Sequence, residues 1–587
     1  MTDWTESALG RRLSRRIFLG ATAGTAAAGL LAACGGSSTE KTATTASGGA
    51  TSPAGAATQP AGGATAPAAA TSAPGSSPTT GGGTPTKGGS ILIGTLGEAN
   101  VINPVAASQS EDDFRCSLIY EQLVRLDPAT YEPSPSLAAS WEIKDLTLTF
   151  KLHDNIMFSD GSKLTADDVV FTIQSMLDKK NASPRQSRYK AIEGADAFVA
   201  GSATEVSGLK VVDPTTLEMT LAEPDASILF SLYYIRPLPK ALLAGKDLSK
   251  ASTEAFFQKP VGAGPFKFVS WTVGADFVGE RNEHYYQEGK PYLDKFTHRV
   301  ITDSQALVNS LLSGDIDGSV YPSPSGAEKL KANADLAVMV PPFGSPDGWI
   351  FNFKNEYLAK KEVRQAIAYA LDMEQFSKDS LYGLGAPGTG PVAPGNFVYD
   401  STLTPHPYDM DKAKQLLDQA GPAPSGIKFT VNQGNVLRED FLTYTQAQLS
   451  KLGWEIDPVV IEYATAVDQV IARTFDVAES GMVGAGITID PGDLASYFQT
   501  GGSSNSSGYS NPALDKLFDE ARTTLDIAKQ KTLYAQIQQI LVEDMPATFS
   551  WYRPFLHVVK NKFTGYVDSN LSNGLFAELE NIYIQKS

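Results

Sequence analysis

The residues able to carry out catalysis or bind metals are few, and their spacing does not favour either role. The five histidines are scattered, without the short spacing that places two imidazole rings on one metal ion. The two cysteines do not form a CxxC pair, and the sequence contains no GxSxG nucleophile turn and no phosphate-binding lysine loop. We therefore expect a protein that is not an enzyme and that uses no metal and no other cofactor.

The most informative stretch for ligand chemistry is Gly481–Asp493, which is rich in glycine and ends in the carboxylates Asp490 and Asp493. This pair is the only local candidate for general acid–base chemistry, so a hydrolase stays open as an alternative. Trp349 and Trp551 lie in turn-rich segments, where a flat ring gives large contact area in a cleft that accepts varied ligands. Each tryptophan can equally be a wedge in an interface between domains.

The N-terminus carries an export signal and a candidate anchoring residue. Ser14–Leu19 (SRRIFL) is a twin-arginine pattern, and a short apolar stretch leads to Leu31-Ala32-Ala33-Cys34. This ending is typical of a lipoprotein cleavage box, so residues 1–33 are predicted to be a signal peptide and Cys34 the lipid attachment residue. An uncut membrane helix is the alternative. Residues 34–86 are almost entirely Gly, Ser, Thr, Ala and Pro, which predicts a disordered tether.

The charge and the cysteine count narrow the class of protein further. The net charge is −17, so a nucleic acid or an anionic lipid surface is not an expected partner, and membrane contact must come from the lipid. If Cys34 is the anchor, Cys116 has no partner within the chain and no disulfide framework exists. Because single cores stop growing near about 250–300 residues, the remaining 500 or so residues must form more than one core.

Strand and helix signals are mixed along the rest of the chain and predict an α/β fold. Leu146–Leu152 alternates apolar and polar residues, as a half-buried strand requires. Thr165-Ala-Asp-Asp168 is a capping box that opens a helix. Further helices are predicted over 304–312, over 362–376 and from Asn511-Pro512 onward.

Several short segments, in order, resemble one known family over nearly the whole mature chain. They include Pro135–Glu142 (PSLAASWE), Phe158–Val169 (FSDGSKLTADDV), Val261–Phe266 (VGAGPF), Arg281–Tyr286 (RNEHYY) and Val363–Asp372 (VRQAIAYALD). Together they resemble the extracytoplasmic solute-binding proteins of ABC importers, in the peptide/nickel (oligopeptide-binding) class, solute-binding protein family 5.

The resemblance implies an α/β, two-lobed, periplasmic-binding-protein-like fold of type II, in the large class with an extra subdomain in the first lobe. The first lobe is expected over residues 87–300, with the inserted subdomain at about 134–208. The second lobe is expected over 301–549, and residues 550–587 are expected to return to the first lobe.

The resemblance also places a ligand in the cleft between the lobes. The predicted ligand-binding residues are Tyr120, Trp349, Asn352, Thr389, Asn396, Ile487, Asp490, Asp493 and Trp551. In peptide-binding members an acidic residue a few positions before an Asp-Pro pair holds the free amino group of the ligand, and this chain has Ile487 there. Asp490 or Asp493 then serves instead, or the ligand is a neutral solute.

The function that follows is the lipid-anchored substrate-binding component of an ABC importer. We expect a monomer on the outer face of the cytoplasmic membrane, with a peptide or similar small solute as ligand and with permease and ATPase subunits as partners. The alternatives are an exported lipoprotein hydrolase and a ligand sensor with the same fold. A peptide, an oligosaccharide, an opine-like conjugate and a chelated metal all stay open as ligands.

Overall fold

Two mixed sheets and a smaller antiparallel sheet organise the part of the chain that the computed structural model describes, residues 85–249, 254–482, 489–569 and 574–585. All of these residues belong to one unit, 72–587. The strands are β1 (Ser90–Thr95), β2 (Val124–Leu126), β3 (Pro133–Pro135), β4 (Ala138–Lys144), β5 (Thr147–Leu152), β6 (Leu209–Asp213), β7 (Thr216–Thr220), β8 (Phe266–Trp271), β9 (Asp276–Arg281), β10 (Lys295–Val300), β11 (Gly318–Val320), β12 (Leu336–Met339), β13 (Pro342–Asp347), β14 (Trp349–Phe351), β15 (Ala386–Pro387), β16 (Lys428–Asn432), β17 (Asp457–Ile461), β18 (Val477–Glu479), β19 (Trp551–Pro554), β20 (His557–Lys560), β21 (Phe563–Thr564) and β22 (Tyr583–Ile584). The helices are α1 (Ser110–Ile119), α2 (Ala166–Leu177), α3 (Ala195–Val199), α4 (Ser227–Ser231), α5 (Lys240–Leu243), α6 (Ala255–Gln258), α7 (Ser304–Ser313), α8 (Ala327–Ala332), α9 (Lys361–Ala370), α10 (Met373–Ser380), α11 (Met410–Ala420), α12 (Val436–Lys451), α13 (Tyr463–Ile471), α14 (Asp493–Phe498), α15 (Pro512–Arg522) and α16 (Ile527–Asp544).

The first lobe is built on a seven-stranded sheet with the order β12-β20-β11-β1-β10-β9-β8, which we call the large sheet. Its centre is parallel, because β1 pairs with β10 in the register Ser90↔Lys295 and also with β11. The late strand β20 inserts antiparallel between β11 and β12. The boundary predicted between residues 300 and 301 falls inside this sheet, since β11 and β12 follow it in the chain.

A separate antiparallel sheet with the order β4-β5-β7-β6 lies under α2. The predicted strand over 146–152 is confirmed as β5, with Leu148, Phe150 and Leu152 buried on one face. The predicted capping box is confirmed as well, because the backbone N–H of Thr165 donates to Asp168 Oδ2 at 2.8 Å. Local patterning therefore decided this part of the fold.

The second lobe is built on a four-stranded sheet with the order β14-β18-β16-β17, which we call the mixed sheet. Strands β16, β17 and β18 are parallel, and β14 runs antiparallel to β18. The helix predicted over 362–376 is wrong as one element, because α9 ends at Ala370 and α10 begins at Met373. Asp372 makes this break by accepting a hydrogen bond from Gln375 N at 2.9 Å as the N-cap of α10.

Two chain segments connect the large sheet to the mixed sheet. The first is β13, which follows β12 and precedes β14; the second is β19, which precedes β20. These connections pair with each other in an antiparallel ladder in which Asp347 is opposite Trp551. The fold is therefore α/β with two lobes joined by a paired crossing.

Candidate functional site

The carboxyl ends of three parallel strands of the mixed sheet meet at one edge. In open α/β sheets ligands bind beyond this edge, because the loops that follow the strands converge there. Asn432 ends β16, Tyr463 follows β17 by two residues, and Gly481 follows β18 by two residues. The candidate site therefore lies at this edge.

A cluster of four charged side chains lies beneath the edge, and we call it the charge cluster: Asp347, Arg438, Glu479 and Arg553. Arg553 binds Asp347 in a bidentate pair, with Nε–Oδ2 at 2.5 Å and Nη2–Oδ1 at 2.8 Å. Arg438 Nε lies 2.5 Å from Glu479 Oε2, and its Nη1 donates to Asn432 Oδ1 at 2.7 Å. The cluster links β13, α12, β18 and β19, so it ties the crossing to the mixed sheet.

The electrostatics of the charge cluster follow from burial. Glu479 is fully buried, and burial together with the nearby charge of Asp347 raises its pKa to about 8, although Arg438 and Arg553 oppose this. Gly481 lies among the side chains of Asp347, Arg438 and Arg553. A Cβ atom at this position would overlap Asp347 Oδ1 and Arg553 Nη2. Only a glycine fits at this position without displacing the cluster.

A cavity of about 690 Å³ opens beside the same glycine, and we call it the α13 pocket. Its apolar surface comes from α13, with Val470 buried at the base and with Ile471 71% and Tyr463 51% exposed at the rim. Arg473 fixes the opposite wall, because its Nη2 donates to Asn505 O at 2.5 Å. The residues around it that the structure describes are Tyr463, Val467, Val470, Ile471, Arg473, Gly481, Ser503, Ser504, Asn505 and Ser506.

The carboxylates Asp490 and Asp493 are brought together at the start of α14. Asp490 is 4% exposed and accepts hydrogen bonds from Gly492 N at 2.8 Å and from the hydroxyl of Ser227 on α4. Burial and the charge of Asp493 raise the pKa of Asp490 to about 6, while the guanidinium of Arg188 lowers it. A cavity of about 60 Å³ lies between Asp490 and Ser227 and Phe230 of α4, so Asp490 faces α4 across a narrow gap.

The three aromatic residues predicted to bind ligand lie in the interior. Trp349 is fully buried, stacks on Phe441 with ring centroids 4.9 Å apart, and donates from Nε1 to Thr445 Oγ1 at 3.0 Å. Trp551 is 1% exposed, and Tyr120 is buried with its hydroxyl donating to Ile102 O at 3.3 Å. In this structure all three are packing residues, and a contact with ligand stays a prediction for them.

The polar predicted residues hold loops. Asn352 donates to Phe475 O at 2.6 Å and to Arg473 O at 3.1 Å, so it supports the turn beside the α13 pocket. Thr389 Oγ1 lies 3.1 Å from the hydroxyl of Tyr552, and Asn396 Oδ1 accepts from Val398 N at 3.1 Å. Ile487 and Cys34 lie outside the described residues. No signal in the sequence separated Tyr463, Val467 and Ile471 from an ordinary buried helix stripe, so the α13 pocket was missed.

Within the described ranges, no group of three or more His, Cys, Asp or Glu side chains is placed to hold a metal ion. None of the helices in those ranges is long and apolar enough to span a membrane.

Comparison with known proteins gives consistent matches. The model of the bacterial extracellular solute-binding proteins, family 5, matches residues 132–506. The oligopeptide-binding protein AppA of Bacillus subtilis is 30% identical over 486 residues, which cover 79% of this chain and 86% of AppA. The crystal structure of AppA in complex with a nonapeptide matches with a TM-score of 0.66 and 27% identity, covering 86% of this chain and 100% of that one. The ABC transporter substrate-binding protein CtaP of Listeria monocytogenes matches with a TM-score of 0.74 and 26% identity, covering 85% of this chain and 100% of that one.

Proposed function

Because the chain belongs to the bacterial extracellular solute-binding proteins, family 5, we propose that it is the lipid-anchored substrate-binding component of an ABC importer. It captures a peptide or a similar small solute in the cleft between its lobes and delivers it to a membrane permease. The family consists of binding proteins, so the chain is not an enzyme. The name of CtaP, an ABC transporter substrate-binding protein, supports the importer, and the nonapeptide bound to AppA supports a peptide ligand.

The observation that carries the proposal is the convergence of the α13 pocket and the charge cluster on Gly481. Ligand pockets are typically about 300–1,000 Å³, mostly apolar, with a few polar groups that fix orientation. The α13 pocket, at about 690 Å³, fits this description and lies at the strand edge where such sites form. A pocket of this kind is suited to binding a solute without any chemical change to it.

The mechanism we propose is closure of the two lobes around the solute. A ligand closes the lobes only to the extent that it binds the closed form more tightly than the open form. A shift from 1:99 to 99:1 requires a preference of about 5.5 kcal/mol. The paired crossing of β13 and β19 supplies the two connections about which such closure takes place.

The experiment that tests solute capture is identification of the natural cargo. Native mass spectrometry of the mature protein is expected to show an adduct, and denaturing mass spectrometry should then recover the same solute chemically unchanged. Calorimetry with the recovered solute, after the protein has been stripped of it, should return a stoichiometry of one. Conversion of the solute during incubation would contradict the proposal and favour a hydrolase.

The lipid anchor is tested on the two cysteines of the chain. We expect mass spectrometry of the N-terminal peptide to show a lipid on Cys34 in the wild-type protein, and we expect Cys34→Ser to carry no lipid, because it removes the residue that the lipoprotein box marks for lipidation. Cys116→Ser is the matched control, since Cys116 is buried in α1 and its replacement should leave the lipid on Cys34 unchanged. An unmodified Cys34 in the wild-type protein at the membrane would refute the anchor and favour the uncut membrane helix.

A further inference from the structure

The α13 pocket presents apolar surface that is not covered by the residues the structure describes. Ile471 is 71% and Tyr463 is 51% exposed, while Val470 is buried at the base. These residues repeat at positions i, i+7 and i+8 of α13, so they form one face of the helix. A helix face of this kind is usually covered by packing, since exposed apolar surface is unfavourable in water.

The charged groups around this surface are few. Arg473 is the only charged residue among the described residues that line the pocket. Its guanidinium is held by Asn505 O at 2.5 Å, and Asn505 is fixed in turn by bonds from its Nδ2 to Gln499 O at 2.9 Å and to Tyr509 O at 2.8 Å. A positively charged group placed in this pocket would therefore meet a fixed guanidinium. The nearest carboxylates, Asp347 and Glu479 beside Gly481, are already paired with Arg553 and Arg438.

The position of the pocket identifies the occupant as part of the captured solute. Gly481 lines the pocket and also lies against Asp347 and Arg553 of the charge cluster. The pocket is thus continuous with the strand edge at which the candidate site is built. Its volume of about 690 Å³ admits the largest aliphatic or aromatic side chain with room for the adjoining backbone.

We propose that the α13 pocket is a specificity subsite that seats a neutral apolar side chain of the solute and disfavours a positively charged one. This inference rests on the proposed function, because it assigns the chemistry of the group that the solute places there. The remaining part of the solute then lies along the strand edge toward Gly481.

The test uses alanine pentapeptides that carry one guest residue, leucine or lysine, at each position in turn, and isothermal titration calorimetry on the mature protein stripped of cargo. At one guest position, leucine is expected to bind at least tenfold more tightly than lysine, a difference of about 1.4 kcal/mol. Ile471→Glu places a carboxylate at the exposed rim of the pocket, so it should narrow this ratio at least threefold. Val269→Glu is the matched control: Val269 is 47% exposed on β8 of the large sheet, and the same charge change there should leave the ratio unaltered.

Two results overturn the subsite. One is equal affinity for leucine and lysine at every position, and the other is an equal effect of Ile471→Glu and Val269→Glu on the ratio. If no pentapeptide binds, the proposal that the protein captures peptides is rejected. The pocket is then tested separately, by NMR of the protein with labelled isoleucine and valine methyl groups. Titration with N-acetyl-leucine methylamide should then shift Val467 and Ile471 while N-acetyl-lysine methylamide does not, and the absence of this difference also overturns the subsite.

Discussion

Replacement of Arg553 by methionine examines whether the paired crossing depends on the charge cluster. Arg553 binds Asp347 through two hydrogen bonds of 2.5 and 2.8 Å, and the side chain of Asp347 is only 3% exposed. Arg553→Met keeps the unbranched apolar stem of the side chain but removes the guanidinium, which leaves a buried carboxylate without its cation. Breaking such a pair costs about 3–5 kcal/mol. Because the side chain of Arg553 is itself 30% exposed, water reaches part of the vacated space, and we expect the free energy of unfolding to fall by about 3 kcal/mol.

The matched control is the pair Arg299–Asp276, which has the same bidentate geometry, with two bonds of 2.8 Å. Its side chains are 41% and 33% exposed, so Arg299→Met should cost about 0–1 kcal/mol. The assay is urea unfolding monitored by circular dichroism. The free energies of unfolding are compared between variants whose dependence on urea concentration, the m-value, is the same. Equal losses for Arg553→Met and Arg299→Met would refute the reasoning, because the two pairs share their bidentate geometry and differ chiefly in burial.

Three further substitutions give independent expectations. The raised pKa of Asp490, about 6, means that the folded protein holds a proton that the unfolded chain releases between about pH 4 and 6, so this residue makes stability fall as pH rises through that window. Asp490→Asn should therefore stabilise the protein relative to wild type at pH 7, by up to about 3 kcal/mol, and not at pH 4. Thermal unfolding at both pH values checks this, and a pH-independent difference would contradict it. Trp349→Ala should cost about 3–5 kcal/mol in urea unfolding, because it empties a fully buried site; a loss below about 1 kcal/mol would contradict that packing. Asp372→Ala should lower the free energy of unfolding by about 1 kcal/mol in the same assay, because it removes the N-cap of α10. Asp372→Asn and Asp372→Ser keep a capping side chain and should restore that stability; if they do not, the loss does not come from the cap.

Local signals predicted the elements whose physics is local. The alternation of Leu148, Phe150 and Leu152 gave β5, and the capping box at Thr165 gave α2, because each depends on residues within a few positions. The break between α9 and α10 was missed for the opposite reason. The apolar spacing continues across Leu371, and only the competing hydrogen bond of the Asp372 side chain ends one helix and begins the next.

The extent of the large sheet and the lining of the site depend on contacts between distant segments. No change in composition marks residue 300, so the pairing of β11 with β1 and β20 was not accessible from patterning. Trp349 and Ile471 show the same difficulty at the site. Trp349 stands in a turn-rich segment and Ile471 on a helix, and only the tertiary structure buries the first completely and leaves the second mostly open to solvent.

The ladder between β13 and β19 limits how the molecule can flex. The two strands are paired at both ends of β13, with an irregular register between Pro342 and Pro346, and β19 also pairs with β15. Movement of one crossing is therefore transmitted to the other, which restricts the directions in which the lobes can rock. Solutes of different lengths would then be enclosed by the same closing movement, and the extent of closure would depend on the size of the solute.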